Sequence, residues 1–289
     1  MIYHVTHRTT FTYASNVAMS QHLLRLSPRL CPNQTTHRHS ILAEPAPTIR
    51  RDNHDYFGNP TTYLTVEDPH TRLTVVSTAQ IEKYAASPLS PEATMPWDKA
   101  QLAVTAQQET DSLYAYQYVF DSPFTGSAGA ADYAAPSFPE GRPVLEAAVD
   151  LMRRIHTDFT YEGGVTDIYT PVDRVIAERR GVCQDFAHLQ IACLRAMGLA
   201  ARYVSGYLRT HPPEGQPRKV GADASHAWVS LWVPGEHWVD LDPTNNLLPG
   251  DEHITVAWGR DYSDVSPITG FVLGGGQQTI EVAVDVRPE

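Results

Sequence analysis

The sequence predicts an α+β protein with a β-rich first part, helices in the middle and strands towards the end. Two observations lead to this fold class. Residues 1–88 hold short runs rich in Thr, Val, Tyr and Leu that are separated by turn-forming residues. From residue 141 to residue 198, apolar residues instead recur every three or four positions, which is the spacing of helices with one buried face.

The β-rich part is predicted to be a small antiparallel β-sandwich. Its strand segments are "IYHVTHRTTFTYA", "SQHLLRLSPRL", "TTYLTVEDP" and "RLTVVSTAQIEKY", and turn signals such as "EPAP" and "RDNHDYFGNP" lie between them. Several short strands at this spacing are typical of a sandwich. We therefore assign residues 1–88 to an N-terminal β-rich domain.

A linker and a short helix are predicted in residues 89–140. The stretch "YAASPLSPEATMPWDKA" is rich in Pro, Ser and Ala and has little periodicity, which is typical of a linker. The stretch "DKAQLAVTAQQETDSLYAYQ" then predicts a short helix. The third unit, residues 141–289, carries the stronger helices and the last strands.

Three helices are predicted at the start of the third unit. In "RPVLEAAVDLMRRIHTDF" one apolar face is formed by Leu145, Val149, Met152 and Ile155. "TPVDRVIAERRG" begins with Thr170 as the N-cap and Pro171 at the first helical position. "CQDFAHLQIACLRAMG" has a broad apolar face and stops at Gly198.

Strands follow these helices. "AARYVSGYL" predicts one strand, and "SHAWVSLWV" with "HWVDLDPT" predicts a hairpin around Pro234 and Gly235. The end of the chain, "GRDYSDVSPITGFVLGGGQQTIEVAVDV", is predicted to be a turn-rich loop and a final strand.

Composition excludes some classes of function. The 289 residues carry a net charge of -11, which argues against non-specific nucleic-acid binding and against attraction to an anionic membrane. No stretch approaches the ~20 apolar residues of a membrane span, and the start lacks the pattern of a signal peptide. The three cysteines form no close thiol motif and cannot all pair, so we expect free thiols and a cytoplasmic location.

Cys183 and Cys193 lie on the same predicted helix but in different settings. Cys193 falls on the apolar face and is expected in the core. Cys183 falls at the helix N-terminus, where unpaired N–H groups and the helix dipole favour the reactive thiolate. Gly181 just before it allows a tight turn and leaves room for a substrate. Alone, Cys183 is better explained as a small buried hydrophobic residue than as a nucleophile.

A cysteine nucleophile needs a base, and the base needs a residue that orients it. His226 is the candidate base, and strand alternation puts both Asp240 and Asp242 on a face that can meet it. A hairpin loop of Val233 to Gly235 puts His226 opposite Asp242, and a two-residue loop shifts it opposite Pro243. Asp242 is therefore the better partner, although it is also a typical turn residue before proline.

These motifs in this order resemble a known family. "GVCQDFAHLQIACLRAMGLAARYVSGYL" and "SHAWVSLWVPGEHWVDLDPTNN" resemble the core of the transglutaminase-like superfamily, and the N-terminal part resembles the β-rich region that precedes this core in a bacterial subgroup. The resemblance covers nearly the whole chain. It implies a papain-like α+β core, in which the Cys-bearing helix packs on an antiparallel sheet, and a catalytic triad of Cys183, His226 and Asp242.

The resemblance implies cysteine-dependent acyl transfer at a peptide or isopeptide amide through a thioester. Hydrolysis is the leading hypothesis, and the alternatives are a protein-glutamine transglutaminase and a non-catalytic peptide-binding relative. The expected partner is a protein or peptide substrate. The backbone N–H of Cys183 is the first candidate oxyanion donor, and Gln184 or Tyr161 is the second.

No cofactor and no metal are expected. His188 and Cys193 are five apart on one helix, which is a poor spacing for a ligand pair, and no HExxH or CxxC motif is present. For Asp261 and Asp264, calcium binding is the alternative interpretation. The favoured one is a solvated turn or a loop that rims the cleft.

Three features keep two interpretations each. The tryptophans at 228, 232 and 238 line a cleft or pack in the core. The polar loop from His211 to Asp223 is a lid or a surface loop. The N-terminal domain recruits partners or covers the core.

Overall fold

The computed structural model describes residues 1–85, 89–107, 110–210 and 224–289 of the chain. Its strands are β1 (Ile2–Leu24), β2 (Gln34–Glu44), β3 (Ile49–His54), β4 (Pro60–Val66), β5 (His70–Lys83), β6 (Thr160–Tyr161), β7 (Arg180–Gly181), β8 (Ala201–Leu208), β9 (Ala224–Val233), β10 (His237–Leu241), β11 (His253–Gly259), β12 (Ile268–Gly274) and β13 (Gln278–Pro288). Its helices are α1 (Trp97–Ala106), α2 (Thr110–Tyr116), α3 (Ala130–Ala134), α4 (Val144–Asp158), α5 (Val172–Glu178), α6 (Cys183–Ala196) and α7 (Tyr262–Val265). The predicted α+β class is confirmed.

The first sheet is antiparallel and is organised around β1. Its strands run in the order β2-β5-β1-β4-β3, and β12 and β13 also pair with β1. The pairing of β1 with β5 is interrupted between Thr12 and Val17, so the two halves of this long strand have different neighbours. Apolar side chains from several strands of this one sheet, including Phe11, Leu24 and Leu73, form a common core. The sheet is therefore curled upon itself.

Both of the last two strands belong to this first sheet. The sequence analysis predicted one final strand and missed β12, which pairs with β1 from Val17 to Leu24. The reason lies in Gly274, Gly275 and Gly276, all of which have positive φ. A run of three glycines in the sequence indicates a turn rather than a strand. Here these glycines form the short connection between β12 and β13, which both pair with β1.

The second sheet holds the predicted hairpin. It has the order β10-β9-β8-β11, and all of its pairings are antiparallel. The helix α6 packs on it, and Leu189 and Leu194 of α6 share a buried core with Val229 and Leu231 of β9. Helix α4 closes the other side of this core, as the spacing of its apolar residues predicts.

Helix starts differ from the predictions in two places. The short helix predicted after the linker is two helices, α1 and α2, because Gln107 adopts a left-handed conformation at the end of α1. Thr170 is not the N-cap of α5, because its hydroxyl accepts a hydrogen bond from the backbone N–H of Asp167, and Pro171 takes the cap position.

The two sheets are joined along β11, which lies at the edge of the second sheet. The side-chain amide of Gln34 donates to the carbonyl of Thr255 (2.8 Å) and accepts from its N–H (2.9 Å). Asn59 makes the same pair of bonds with Trp258, at 2.8 Å and 2.9 Å. Two amide side chains thus satisfy backbone groups that an edge strand otherwise leaves unpaired.

A stack of charged and aromatic side chains reinforces the same junction. The Arg29 guanidinium lies 3.1 Å from the centre of the Trp258 ring, and Arg202 lies 3.7 Å from that ring and 4.0 Å from the Trp238 ring. Arginine over tryptophan is a favourable cation–π arrangement. The N-terminal sheet is therefore held firmly against the sheet that carries the hairpin.

Candidate active site

Cys183 is the first residue of α6 and is half-buried. The carboxylate of Asp185 accepts a hydrogen bond from the N–H of Val182 (2.7 Å) and one from the hydroxyl of Thr166 (2.7 Å), which closes the helix start. A Cβ at Gly181 would lie 2.7 Å from an oxygen of Asp185. The glycine therefore makes room for this carboxylate, a role that the sequence analysis did not foresee.

His226 is buried on β9, in front of aromatic side chains. Its ring centre lies 6.1 Å from that of Trp228, and the indole of Trp228 meets the ring of His253 edge-on at 5.2 Å. Trp228 is fully buried. These packed rings restrict the rotation of both histidines, so the position of the His226 ring is defined by its surroundings.

Asp242 is fully buried and accepts hydrogen bonds on both carboxylate oxygens. Its Oδ2 accepts from His226 Nε2 at 2.7 Å, from Asn245 Nδ2 at 2.7 Å and from His253 Nε2 at 3.0 Å. Its Oδ1 accepts from the backbone N–H groups of Thr244 (3.0 Å) and Asn245 (3.2 Å). A buried carboxylate with this many donors is compensated for its lost hydration.

The pKa values of this pair move in opposite directions. Burial disfavours the charged form of His226, but its hydrogen bonds to Asp242 and Cys183 outweigh burial and raise the pKa of His226 to about 9. Burial also disfavours the Asp242 anion, but the hydrogen bonds from His226 and His253 hold the pKa of Asp242 well below its usual range. At neutral pH the two side chains form an imidazolium–carboxylate pair.

Cys183 and His226 line one cavity of about 370 Å³. Val182 and Gln184 at the start of α6 form one part of its wall. Residues of β1, β8, β9 and β13 form another part, and Tyr262 with residues 266–268 completes it. A larger concavity of about 720 Å³ lies elsewhere, around Phe57 and Phe120, and its described lining contains no cysteine or histidine. The smaller cavity is the better candidate site, because a thiol and an imidazole of the described residues line it together.

The predicted hairpin register is wrong, although the predicted contact is present. Val233 pairs with His237, so the loop is residues 234–236 and neither loop weighed from the sequence is formed. Asp242 lies beyond the last pair of this ladder, in a turn whose ends, Asp242 and Leu247, are bridged. Its side chain reaches back to His226 from that turn, whereas Asp240 instead accepts from Trp228 Nε1 at 3.1 Å.

The sequence analysis missed two residues of this cluster. His253 lies on β11, a strand that was not predicted, and Asn245 lies just after the DPT motif. The run "HITVAWG" contains Ile254, Thr255 and Val256, and such β-branched residues are a strand signal that was available in the sequence. Nothing in the sequence indicates that this strand runs beside β8 and brings His253 to Asp242.

The remaining candidates fall in different places. Gln184 lines the cavity, whereas Tyr161 is 58% exposed and is not among the lining residues. Trp228 and Trp232 are buried, and Trp238 packs on Arg202. None of the three is among the described residues that line this cavity. The predicted lid, residues 211–223, lies outside the described residues.

The residues weighed as metal ligands have other contacts. His188 accepts a hydrogen bond from the N–H of Tyr262 at 3.2 Å, and Cys193 is in the core. Asp261 accepts from Ser263 at the start of α7, and Asp264 pairs with the Arg260 guanidinium at 2.8 Å. The described residues that present three metal-ligand atoms within 4.8 Å of one another are His226, Asp242 and His253, the hydrogen-bonded cluster itself.

Among the described residues, no helix has both the length and the apolar character needed to cross a bilayer.

Two family models match the chain. The bacterial transglutaminase-like N-terminal region matches residues 3–82, and the transglutaminase-like superfamily matches residues 132–243. The second range contains Cys183, His226 and Asp242. The matches bear out the resemblance predicted from the sequence motifs.

Individual proteins are similar to the chain over different lengths. An uncharacterized protein of Mycobacterium tuberculosis is 42% identical over 99% of this chain and 92% of its own length. A protein-glutamine gamma-glutamyltransferase of Pseudomonas aeruginosa is 29% identical over 38% of this chain and 19% of its own length. The solved structure of a "Putative Cysteine Protease" from Cytophaga hutchinsonii covers 100% of this chain and 91% of its own, with a TM-score of 0.76 and 21% identity. This last likeness shows a shared fold.

Proposed function

Since the chain belongs to the transglutaminase-like superfamily, we propose that it is a cysteine-dependent acyl-transfer enzyme with Cys183 as nucleophile, His226 as its proton partner and Asp242 as the residue that orients His226. One observation carries the proposal. Cys183 at the start of α6 lines the same cavity as His226, and His226 is hydrogen-bonded to a fully buried carboxylate.

The hydrogen bonds support the assignment of proton positions. Nε2 of His226 donates to Asp242, which leaves Nδ1 as the ring nitrogen for Cys183. The raised pKa of His226, about 9, keeps the ring charged near neutral pH. An imidazolium beside a thiol stabilises the thiolate, which is the attacking form. The buried carboxylate of Asp242 balances the positive charge of this imidazolium.

The proposed reaction has two stages. The Cys183 thiolate attacks the amide carbonyl, and the backbone N–H of Cys183 at the helix start donates to the developing oxyanion. Gln184, which lines the cavity, is a better second donor than the exposed Tyr161. His226 then gives its proton to the departing amine, which leaves a thioester. In the second stage, His226 accepts a proton from water as the water attacks the thioester and releases a carboxylic acid.

We propose hydrolysis of a peptide or isopeptide amide as the outcome. The three cysteines are free, which supports a cytoplasmic location for an enzyme that needs a reduced thiol. A protein-glutamine transglutaminase is the second candidate, and the similarity to the Pseudomonas aeruginosa gamma-glutamyltransferase favours it. In that case an amine, rather than water, resolves the thioester.

One incubation separates these outcomes. The protein is mixed with a glutamine donor peptide and a labelled amine, and released acid and incorporated label are quantified together. Hydrolysis predicts that acid formation exceeds label incorporation, and the reverse ratio identifies a transglutaminase. Cys183→Ala removes both products, whereas Cys31→Ser, at another free cysteine, is the matched control and keeps them. Absence of both products in the wild type, together with slow alkylation of Cys183, would leave only a peptide-binding role.

A further inference from the structure

We propose that the cavity wall supplied by β1 and β13 is a subsite for an uncharged, apolar side chain of the substrate, next to the amide that Cys183 attacks. The substrate class is therefore peptides with a bulky aliphatic or aromatic side chain at that position. This inference rests on the proposed function of Cys183. It also assigns the N-terminal sheet a direct part in substrate binding.

The register of β1 with β13 identifies this wall. Phe11 pairs with Ile280 and Thr9 pairs with Val282. Directly opposed residues of an antiparallel pair point to the same side of the sheet. All four line the cavity that contains Cys183 and His226. The wall is thus one continuous patch on two neighbouring strands.

Burial changes sharply along β13. Val284 is 1% exposed, because it packs in the junction with Tyr207 and Ile254 of the second sheet. Val282 and Ile280 lie two and four residues earlier, respectively, on the same side of the strand, and each is 54% exposed. Apolar side chains that line a cavity and remain exposed are the surface that a ligand covers. A substrate side chain placed there gains apolar contacts within the same cavity as the thiol.

The described lining of the cavity offers no partner for a charged substrate side chain. Among the described lining residues there is no Asp, Glu, Lys or Arg. His7 is neutral, because burial lowers its pKa to about 4, and its ring is already hydrogen-bonded to Tyr207 (2.9 Å) and Thr9 (3.0 Å). The charge of His226 is balanced by Asp242. A charged substrate group would therefore lose its hydration without a new partner.

A matched pair of variants tests this wall. Val282→Asp puts a carboxylate on the cavity wall, and Leu273→Asp puts one on β12, where Leu273 is 58% exposed and is not among the lining residues. Both strands pair with β1, so the two variants carry the same backbone context. The probes are peptidyl vinyl sulfones that carry Leu, Asp or Lys next to the electrophile. Iodoacetamide carries no side chain for the wall to bind, so its rate of labelling at Cys183, measured in a Cys31→Ser background, reports on the thiol independently of the wall.

The expected result is a change in selectivity without a change in the thiol. The wild type reacts with the Leu probe at least about tenfold faster than with the Asp or Lys probe. Val282→Asp loses about tenfold with the Leu probe, and Leu273→Asp loses nothing. Val282→Lys gains reactivity towards the Asp probe, which a misfolded protein cannot do. Iodoacetamide labelling of Cys183 stays the same in all of these variants.

The two proposals fail in different ways. Equal wild-type rates with the Leu, Asp and Lys probes, or unchanged selectivity in Val282→Asp and Val282→Lys, overturn the subsite while fast iodoacetamide labelling keeps Cys183 as the nucleophile. Iodoacetamide labelling of Cys183 no faster than that of a model thiol, and no slower in His226→Ala, overturns the proposed function itself.

Discussion

Cys183 and Cys193 are on the same helix, yet their surroundings differ in every respect that matters for reactivity. Cys193 is fully buried among apolar side chains, and burial raises its pKa to about 12. Cys183 is half-buried at the helix start and lines a cavity with His226. Two cysteines on one helix thus have different surroundings, because only one of them faces the cavity beside the neighbouring sheet. The hairpin shows a similar contrast between Asp240, which accepts from Trp228, and Asp242, which accepts from His226.

The largest difference is expected between the two variants in which Cys183 or Cys193 is replaced by alanine. Cys183→Ala lowers the rate of donor hydrolysis by about 10³-fold or more, because it removes the attacking atom. Cys193→Ala keeps the rate but lowers the free energy of unfolding by about 1–3 kcal/mol, since it leaves a small void in the core. Steady-state rates and denaturant unfolding of both variants check this. Loss of activity in a fully folded Cys193→Ala protein would contradict the assignment.

Substitutions of the two aspartates, Asp242 and Asp240, should differ nearly as strongly in their effect on the rate. Asp242→Asn lowers the rate by about 10²–10⁴-fold, because an amide at that position no longer stabilises the charged His226 ring. Asp240→Asn keeps the carbonyl oxygen that accepts from Trp228 Nε1 and leaves the rate close to that of the wild type. The measurement is kcat/KM for both variants at the same pH. Similar losses in the two would mean that the geometry around Asp242 has no special role.

A smaller effect is expected at His253, which acts through Asp242. His253→Phe removes one donor from Asp242 Oδ2 and lowers the rate by about tenfold, in line with the loss of one hydrogen bond to a charged group. The carboxylate, with one donor fewer, attracts the proton of His226 more strongly. The alkaline limb of the pH profile of Cys183 alkylation, which reports the loss of the His226 proton, should therefore move to higher pH. His253→Gln, which can still donate to Asp242, should move this limb less and keep more of the rate. A lower rate with an unshifted profile would indicate a packing role only.

The smallest effect is a dependence of stability on pH. The pKa of His226 in the folded protein, about 9, lies above its ordinary value, so the charged ring stabilises the folded state fully below pH ~6.5. This contribution, on the order of 1–3 kcal/mol, is lost as the pH rises towards 9. The difference in unfolding free energy between the wild type and His226→Gln should be larger at pH 6 than at pH 10. A difference that does not change with pH would argue against a charged His226.

Sequence periodicity predicted the elements that bury one face. The spacing of Leu145 and Met152 predicted α4, and the apolar face around Leu189 predicted α6, because a helix that packs on a sheet needs such a stripe. The alternation after Ser225 predicted the hairpin. These patterns are local, so each can be recognised without knowledge of the rest of the chain.

Other elements could not be recognised locally. The strand β12 pairs with β1 across almost the whole length of the sequence, and no local pattern specifies that partner. The hairpin loop is residues 234–236, which changed the register, and only the turn after the strand brings Asp242 back to His226. The catalytic roles of Cys183, His226 and Asp242 remain predictions for the experiments above.

The order of the motifs, the helices α4 and α6, and the different positions of Cys183 and Cys193 on α6 follow from the amino-acid sequence, because periodicity and position along a helix are properties of neighbouring residues. The contact of His253 with Asp242 and the cavity wall of β1 and β13 do not follow from the sequence alone. His253 reaches Asp242 because β11 pairs with β8, and Ile280 reaches the cavity because the end of the chain returns to β1. Contacts between residues distant in sequence arise from the packing of sheets, and that packing exists only in the folded chain.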